Sequence, residues 1–240
     1  MKILALDSSG LVASVALVED DILVAEYTMN YKKTHSQTLL PMLDEIKKAV
    51  NLDLGSIDAI AVAAGPGSFT GLRIGSATAK GLGLALGKPL IGVPTVEALA
   101  YNLYDTDEDT LICPIMDARR KQVYTGIYAF ENHGLKTIQD QDALPMEKLL
   151  EQLNALGKSI IFLGDGVPVF QELIEEKCRV PYSFAPAHLN RQRAGAVAAL
   201  GALYFEQGKA ETAAEHQPDY LRVSQAERER AERLAKTENA

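Results

Sequence analysis

GPGSFTGLRIG, residues 65–75, joins a predicted strand to a predicted helix. The apolar run 57–64 before it is bounded by turn residues and predicts a buried strand, and a helix is predicted from residue 70 to about residue 85. A glycine-rich turn at this junction places free backbone N–H groups and the positive end of a helix dipole together, as in phosphate sites. The stretch has neither the Lys-Ser/Thr ending of a P-loop nor the dinucleotide fingerprint. Two interpretations stay open: an anion site, or simply a tight connection.

The same stretch resembles the signature of the TsaB/YeaZ family. Further matches to that family extend over residues 1 to about 222, at Asp7-Ser8-Ser9, His35-Ser36-Gln37, Gly92-Val93-Pro94-Thr95-Val96-Glu97-Ala98-Leu99, Asp117-Ala118-Arg119-Arg120 and Gly164-Asp165-Gly166. The resemblance implies an α/β actin-like fold (ASKHA, RNase H-like), with two small lobes that each contain a mixed sheet flanked by helices. It also implies a non-catalytic role in bacterial tRNA threonylcarbamoyladenosine synthesis.

Composition limits the classes of function. With 240 residues and 47% hydrophobic content the chain can bury a sizeable core, and no apolar run reaches the ~18 residues of a membrane span. A net charge of −8 argues against a broad basic surface for nucleic acid, so a role on tRNA is expected to be indirect. Two cysteines, Cys113 and Cys178, make neither a disulfide framework nor a metal cluster. They fit buried thiols in a reducing cytosol, and we expect a cytoplasmic protein without a membrane anchor.

The first turn is a second candidate anion site. Three antiparallel strands are predicted at 2–8, 11–19 and 22–29, and the turn Asp7-Ser8-Ser9-Gly10 resembles the phosphate hairpin of the actin-like superfamily. Asp7 could orient a metal-bound water, or it could close an Asx turn, which the residues alone favour. The nucleotide- or anion-binding candidates are Asp7, Ser8, Ser9, Gly10, Gly65, Gly67, Ser68, Thr70, Gly164 and Gly166.

One position separates this chain from the catalytic relatives. TsaD proteins carry an HxxxH pair after the strand that corresponds to 89–93, two imidazoles on one helical face that suit a metal. Thr95 and Leu99 take those places here, and a leucine has no lone pair to offer. The histidines show no ligand spacing, and for His35 a hydrogen-bonding or interface role is favoured over metal binding. We therefore expect no metal site, no catalytic residue and an accessory subunit.

The lobes are expected at 1–100 and 101–222, followed by a charged tail at 223–240. In the second lobe, 111–118 and 123–131 predict a hairpin whose basic tip is Arg119-Arg120-Lys121-Gln122. Helices are predicted at 146–156 and 169–177, with a strand at 159–163 between them. The acidic segment 101–110 is predicted to be a linker. The apolar, alanine-rich helix 191–207 is predicted to pack back between the halves.

The helix 70–85 is apolar around most of its circumference, which indicates burial on two sides. Leu72, Gly75 and Ala79 lie on one side, and Ile74, Ala77 and Gly81 on the adjoining one. One side should face the sheet and the other a second chain, unless the chain's own helix after Thr34 covers it. The predicted interface residues are His35, Leu39, Leu43, Leu72, Arg73, Gly75, Ser76, Ala79, Lys80 and Gly83.

The resemblance implies partners as well as a fold. It implies pairing with the catalytic TsaD subunit, a further partner in the ATPase TsaE, and a weak homodimer when the chain is alone. No intrinsic cofactor is expected, while ATP or ADP could bind at an interface shared with a partner. Two other classes stay open: a self-contained nucleotide-binding module, and a sugar-kinase-like or metalloprotease-like enzyme.

Overall fold

The computed structural model describes residues 1–222, whose strands form two sheets built to one plan. The strands of the first sheet, in spatial order, are β3 (Ile22–Asn30), β2 (Val12–Glu19), β1 (Lys2–Asp7), β4 (Ala59–Gly65) and β5 (Leu90–Pro94). Those of the second are β8 (Gly134–Pro145), β7 (Gln122–Glu131), β6 (Thr110–Asp117), β9 (Ser159–Leu163) and β10 (Tyr182–Phe184). In both, the first three strands in chain order pair antiparallel and the next two add in parallel. Each half is therefore a mixed sheet of the same topology.

Helices cover the faces of these sheets. They are α1 (His35–Ala49), α2 (Phe69–Leu86), α3 (Thr95–Tyr101), α4 (Met146–Leu156), α5 (Val167–Lys177) and α6 (Ala194–Glu206). α1 and α2 pack on one face of the first sheet, where Leu6, Val15 and Leu39 share one core. α4 and α5 enclose the core of the second sheet around Leu149, Phe162 and Ile174. α3 contacts β6, β7 and α6, so it lies between the lobes.

Most of these elements were predictable because their apolar residues are periodic. The predicted segments 146–156 and 159–163 coincide with α4 and β9, and α5 begins two residues before its prediction, with Pro168 in its first turn. Strand β8 was not predicted, because most of its side chains are exposed and no apolar run marks it. Strand β10 has only three residues, and helix α3 only seven. Such short elements carry little periodicity of their own.

Helix α6 follows the second lobe in the chain but lies against the first sheet, on the face opposite α1 and α2. Its first backbone N–H donates to Ser14 Oγ at 2.9 Å, and the Glu26 carboxylate binds both Arg193 and the Gly195 N–H. Gly201 allows the close approach, since a side chain there would meet Ala61. After the second lobe the chain thus returns to the first lobe, and α6 packs there. The charged tail 223–240 lies outside the described residues.

Within residues 1–222 no helix is both long enough and apolar enough to cross a membrane.

Candidate functional site

A cleft of about 440 Å³ opens between the lobes. One wall is the β1–β2 turn with Ser9 and the start of α2 with Ser68. The other wall is the β6–β7 tip with Arg120, together with Asp165. The segment 219–222 closes one side. Both candidate anion turns of the first lobe therefore meet at this interlobe cleft.

These two turns bind each other. The Ser68 N–H donates to the Ser9 carbonyl at 2.7 Å, and Ser8 Oγ donates to the Gly71 carbonyl at 2.9 Å. A Cβ on Gly67 or Gly71 would collide with the carbonyl oxygen of Ser9 or Ser8. The glycines are thus needed for close packing of one turn on the other. Of the two open interpretations, this geometry supports the tight connection.

Asp7 lies at the centre of the first turn and is 1% exposed. Its Oδ1 accepts from the Ser9 N–H at 2.8 Å and from Ser9 Oγ at 2.7 Å, which is an Asx turn. Burial raises the pKa of the Asp7 carboxyl above its ordinary value, and the Ser9 bonds partly offset that rise. A raised folded-state pKa means that the charged form is disfavoured. The contribution of Asp7 to the free energy of unfolding is therefore greatest below the ordinary pKa of aspartate. It falls as the pH rises from that pKa through the higher pKa of the folded state.

We expect Asp7→Asn to be at least as stable as the parent at pH 7, because the amide oxygen keeps both Ser9 bonds without a buried charge. Asp7→Ala should lose about 2 kcal/mol, since it leaves the buried Ser9 donors unpaired. Urea unfolding between pH 4 and pH 8 measures both, and Asp7→Asn should also flatten the pH dependence. If the Asp7→Asn variant unfolds at the same low urea concentration as Asp7→Ala, the negative charge itself is needed for stability.

The Gly164–Gly166 turn is closed in the same way. Gly164 has φ +107°, and its missing Cβ leaves room for the Ile115 carbonyl, which accepts from the Gly166 N–H at 3.0 Å. The Gly164 carbonyl accepts from Arg191 at 3.0 Å. Asp165 turns towards the cleft and accepts from the Asp117 N–H at 3.3 Å, and burial raises the pKa of the Asp165 carboxyl. This turn too is explained by contacts within the chain.

The segment 208–222, here called the C-terminal strap, was missed by sequence reasoning. It pairs Glu211 with the outer edge of β5 and then reaches the end of β4, where the Asp219 N–H donates to the Ala64 carbonyl at 2.7 Å. Tyr220 stacks on Phe69 with ring centroids 4.7 Å apart, and Arg222 donates to the carbonyl of Ala118 in the second lobe. The strap thus crosses the mouth of the cleft. The sequence signal was Gly65 itself, because a Cβ at this residue would collide with the Asp219 carbonyl oxygen.

The positions that would carry a metal-binding pair are occupied by core side chains. Thr95 Oγ1 accepts from the Gly65 N–H at 3.2 Å and is fully buried. Leu99 is 1% exposed and belongs to the apolar cluster between the lobes, with Ile112 and Leu163. In the part of the chain that the structure describes, no three His, Cys, Asp or Glu side chains are grouped so as to hold a metal ion.

Several predicted interface residues are buried within this chain. They are Leu39, Leu43, Leu72, Gly75, Ser76, Ala79 and Gly83. Neighbouring segments of the same chain already cover them, and the contact of this helix face with a partner stays a prediction. Ile74 packs against the same core, so α1 covers part of the adjoining side, as the alternative interpretation held.

Five exposed residues of α2 lie along one line, here called the outer ridge: Thr70, Arg73, Ala77, Gly81 and Leu84. Leu84 is 72% exposed, and Leu40 on the outer side of α1 is 53% exposed. Lys80 is half-buried and donates to the His216 carbonyl at 2.9 Å. His35 makes a hydrogen bond to the Gly10 carbonyl at 2.9 Å. Of the predicted interface residues, Arg73 has an exposed side chain that a partner could contact. Its guanidinium carbon lies 4.0 Å from the centre of the Phe69 ring.

Comparisons with known proteins place this chain among proteins of similar sequence and fold. Residues 23–230 match the family described as TsaD, tRNA N6-adenosine threonylcarbamoyltransferase. The tRNA threonylcarbamoyladenosine biosynthesis protein TsaB of Bacillus subtilis is 34% identical over 229 residues, which cover 95% of this chain and 96% of that protein. YeaZ from Pseudomonas aeruginosa superposes with a TM-score of 0.79 at 27% identity, over 92% of this chain and 99% of that one.

The wider likeness concerns the fold. A ROK hexokinase from Thermus thermophilus superposes with a TM-score of 0.51 at 12% identity, over 87% of this chain and 100% of that one. The two mixed sheets with flanking helices, shared with a sugar kinase, confirm the α/β actin-like fold. The match to the Bacillus subtilis protein extends over nearly the full length of both chains, and it identifies the family within that fold. This chain therefore belongs to the TsaB/YeaZ family.

Proposed function

We propose that this chain is a non-catalytic subunit in tRNA N6-threonylcarbamoyladenosine biosynthesis, which pairs with and activates a TsaD-type catalytic subunit. Membership of the TsaB/YeaZ family supports the pathway. The observation that carries the non-catalytic role is the burial of Thr95 and Leu99 where the catalytic relatives are expected to place two histidines. A side chain packed between the lobes does not reach a substrate. The same proposal includes TsaE as a further partner.

The outer ridge is the surface we propose for the catalytic partner. Ala77 and Gly81 carry little or no side chain, which lets another helix approach closely. Leu84 and Arg73 flank them and supply an apolar and a charged contact. An exposed leucine beside small residues has a low desolvation cost on binding. The ridge runs along an 18-residue helix that is held by its own sheet, so it is a rigid surface.

We propose that this chain has no cofactor of its own and that ATP or ADP binds at an interface shared with the partner. The strap supports this placement, because Tyr220 and Arg222 occupy the mouth of the interlobe cleft in the isolated chain. A net charge of −8 supports indirect contact with tRNA, through the complex. The complex would work in the cytoplasm, where its tRNA substrate is found.

Reconstitution tests the function directly. The purified chain alone should neither modify tRNA nor hydrolyse ATP appreciably, whereas adding it to the catalytic partner, TsaE and the activated donor should restore modification. Mass spectrometry of nucleosides from the digested tRNA measures the product. Modification by this chain without its partner would refute the proposal, and so would full modification without this chain.

A further inference from the structure

The last four described residues of the C-terminal strap, 219–222, are here called the latch. On the first lobe, the Asp219 N–H donates to the Ala64 carbonyl at 2.7 Å. The Tyr220 ring packs against Phe69, with the ring centroids 4.7 Å apart. The latch therefore lies on the end of β4 and on the first turn of α2.

The latch also binds the second lobe. The Asp219 carboxylate accepts from the Gln141 amide of β8 at 2.7 Å, and Arg222 donates to the carbonyl of Ala118 beside the β6–β7 tip. All four latch residues line the interlobe cleft. Because each lobe holds one side of the latch, separating the lobes at the cleft must break these bonds.

Arg73 connects the latch to the outer ridge. It is an exposed residue of that ridge, and its guanidinium lies over the Phe69 ring. Its Nε donates to the Tyr220 hydroxyl at 3.3 Å. Arg73 thus touches both rings of the stack that holds the latch on the first lobe. Within residues 1–222 its guanidinium makes no salt bridge, so its charge is not neutralised there.

A carboxylate on a protein bound to the ridge would compete with Tyr220 for Arg73. The bond from Arg73 to the phenol is long for an N–H to oxygen contact, and the phenol is uncharged, so this bond is weak. A carboxylate carries the opposite charge and can accept two parallel bonds from one guanidinium. An acidic side chain that reaches the ridge would therefore take Arg73 away from the latch.

We propose that an acidic side chain of the catalytic partner, bound on the outer ridge, draws Arg73 away from Tyr220 and so releases the latch. This inference rests on the proposed function, and it adds a coupling between the ridge and the cleft. The latch has two states, bound and released, and the partner favours the released one. Because the released latch no longer ties the lobes together, the cleft opens to a ligand only after the partner is bound.

Hydrogen exchange of the Asp219 amide measures the latch in the full chain, because this amide is hydrogen-bonded to Ala64 only while the latch is bound. In the free chain, Arg73→Ala should speed that exchange about fivefold, since the Tyr220 ring loses its contact with Arg73. Leu84→Ala is the matched control at an exposed position farther along the ridge, and it should leave the exchange unchanged. Equal exchange in the two variants would overturn the proposal.

Adding a saturating amount of the catalytic partner tests the coupling. The Asp219 amide should exchange about tenfold faster in the complex, whereas binding without release of the latch would slow its exchange or leave it unchanged. In Arg73→Ala the partner should cause no further increase, because the contact that it breaks is already absent. If light scattering shows a complex and the exchange is no faster, this inference is refuted and the proposed function stands. If no complex forms, both are refuted.

Discussion

Gly71→Ala is expected to lower the free energy of unfolding by about 3 kcal/mol, although the substitution only adds a methyl group. The added Cβ would collide with the Ser8 carbonyl oxygen, which is backbone and cannot rotate away. Relief requires the two turns to separate. That movement would break the bond from Ser8 Oγ to the Gly71 carbonyl and disturb the one from the Ser68 N–H to Ser9.

Gly81→Ala provides the matched control for this prediction. Gly81 lies on the same helix, and a Cβ there meets nothing within 4 Å. This variant should gain roughly 0.5–1 kcal/mol, because alanine has the higher helix propensity. Urea unfolding followed by circular dichroism measures both variants. If Gly71→Ala and Gly81→Ala unfold at the same urea concentration, the two turns are not packed as tightly as described.

Ala77→Glu is expected to leave the chain folded but to weaken its association with the catalytic partner at least a hundredfold, with a matching loss of tRNA modification. Ala77 is exposed at the middle of the outer ridge, so a glutamate there is solvated in the free chain. In a complex of about 800 Å² per partner the same charge would be buried without a partner. Light scattering or calorimetry with the catalytic subunit measures the affinity.

Two further alanines separate binding from folding. Ala155→Glu places the same charge at an exposed position of α4, in the other lobe, and should leave both folding and affinity unchanged. Ala79→Glu should unfold the first lobe, because Ala79 is 0% exposed in the core beneath α2. Should Ala77→Glu bind the partner as tightly as Ala155→Glu does, the outer ridge is not the contact surface.

Local patterns were enough to predict most of the fold. The strand β4, its glycine turn and helix α2 were predictable from an apolar run, a glycine-rich turn and a helical repeat, all within 30 residues. The hairpin of β6 and β7 was predicted with its basic tip at the observed place. The family signature supplied the actin-like topology, which periodicity alone does not specify. β8 escaped because a largely exposed edge strand has no apolar run to mark it.

The site was predicted less well, because its geometry depends on residues far apart in the chain. Helical periodicity showed that α2 is buried on more than one side, but it could not show which side the chain's own α1 covers. That is why Leu72 and Ala79 were placed in a partner interface and are found in the core. The glycine turns were recognised as meaningful, yet their meaning lay in carbonyls about 60 residues away, such as that of Ser8 beside Gly71.

The sequence by itself determined the class of fold, the family and the absence of an imidazole pair at Thr95 and Leu99, because each of these is written in residue types at short spacing. Only the tertiary structure decided that the two phosphate-type turns close on each other and that the strap crosses the cleft. The physical reason is that burial and hydrogen bonding are shared between segments. Whether a backbone group or a helix face is free depends on which distant segment folds against it.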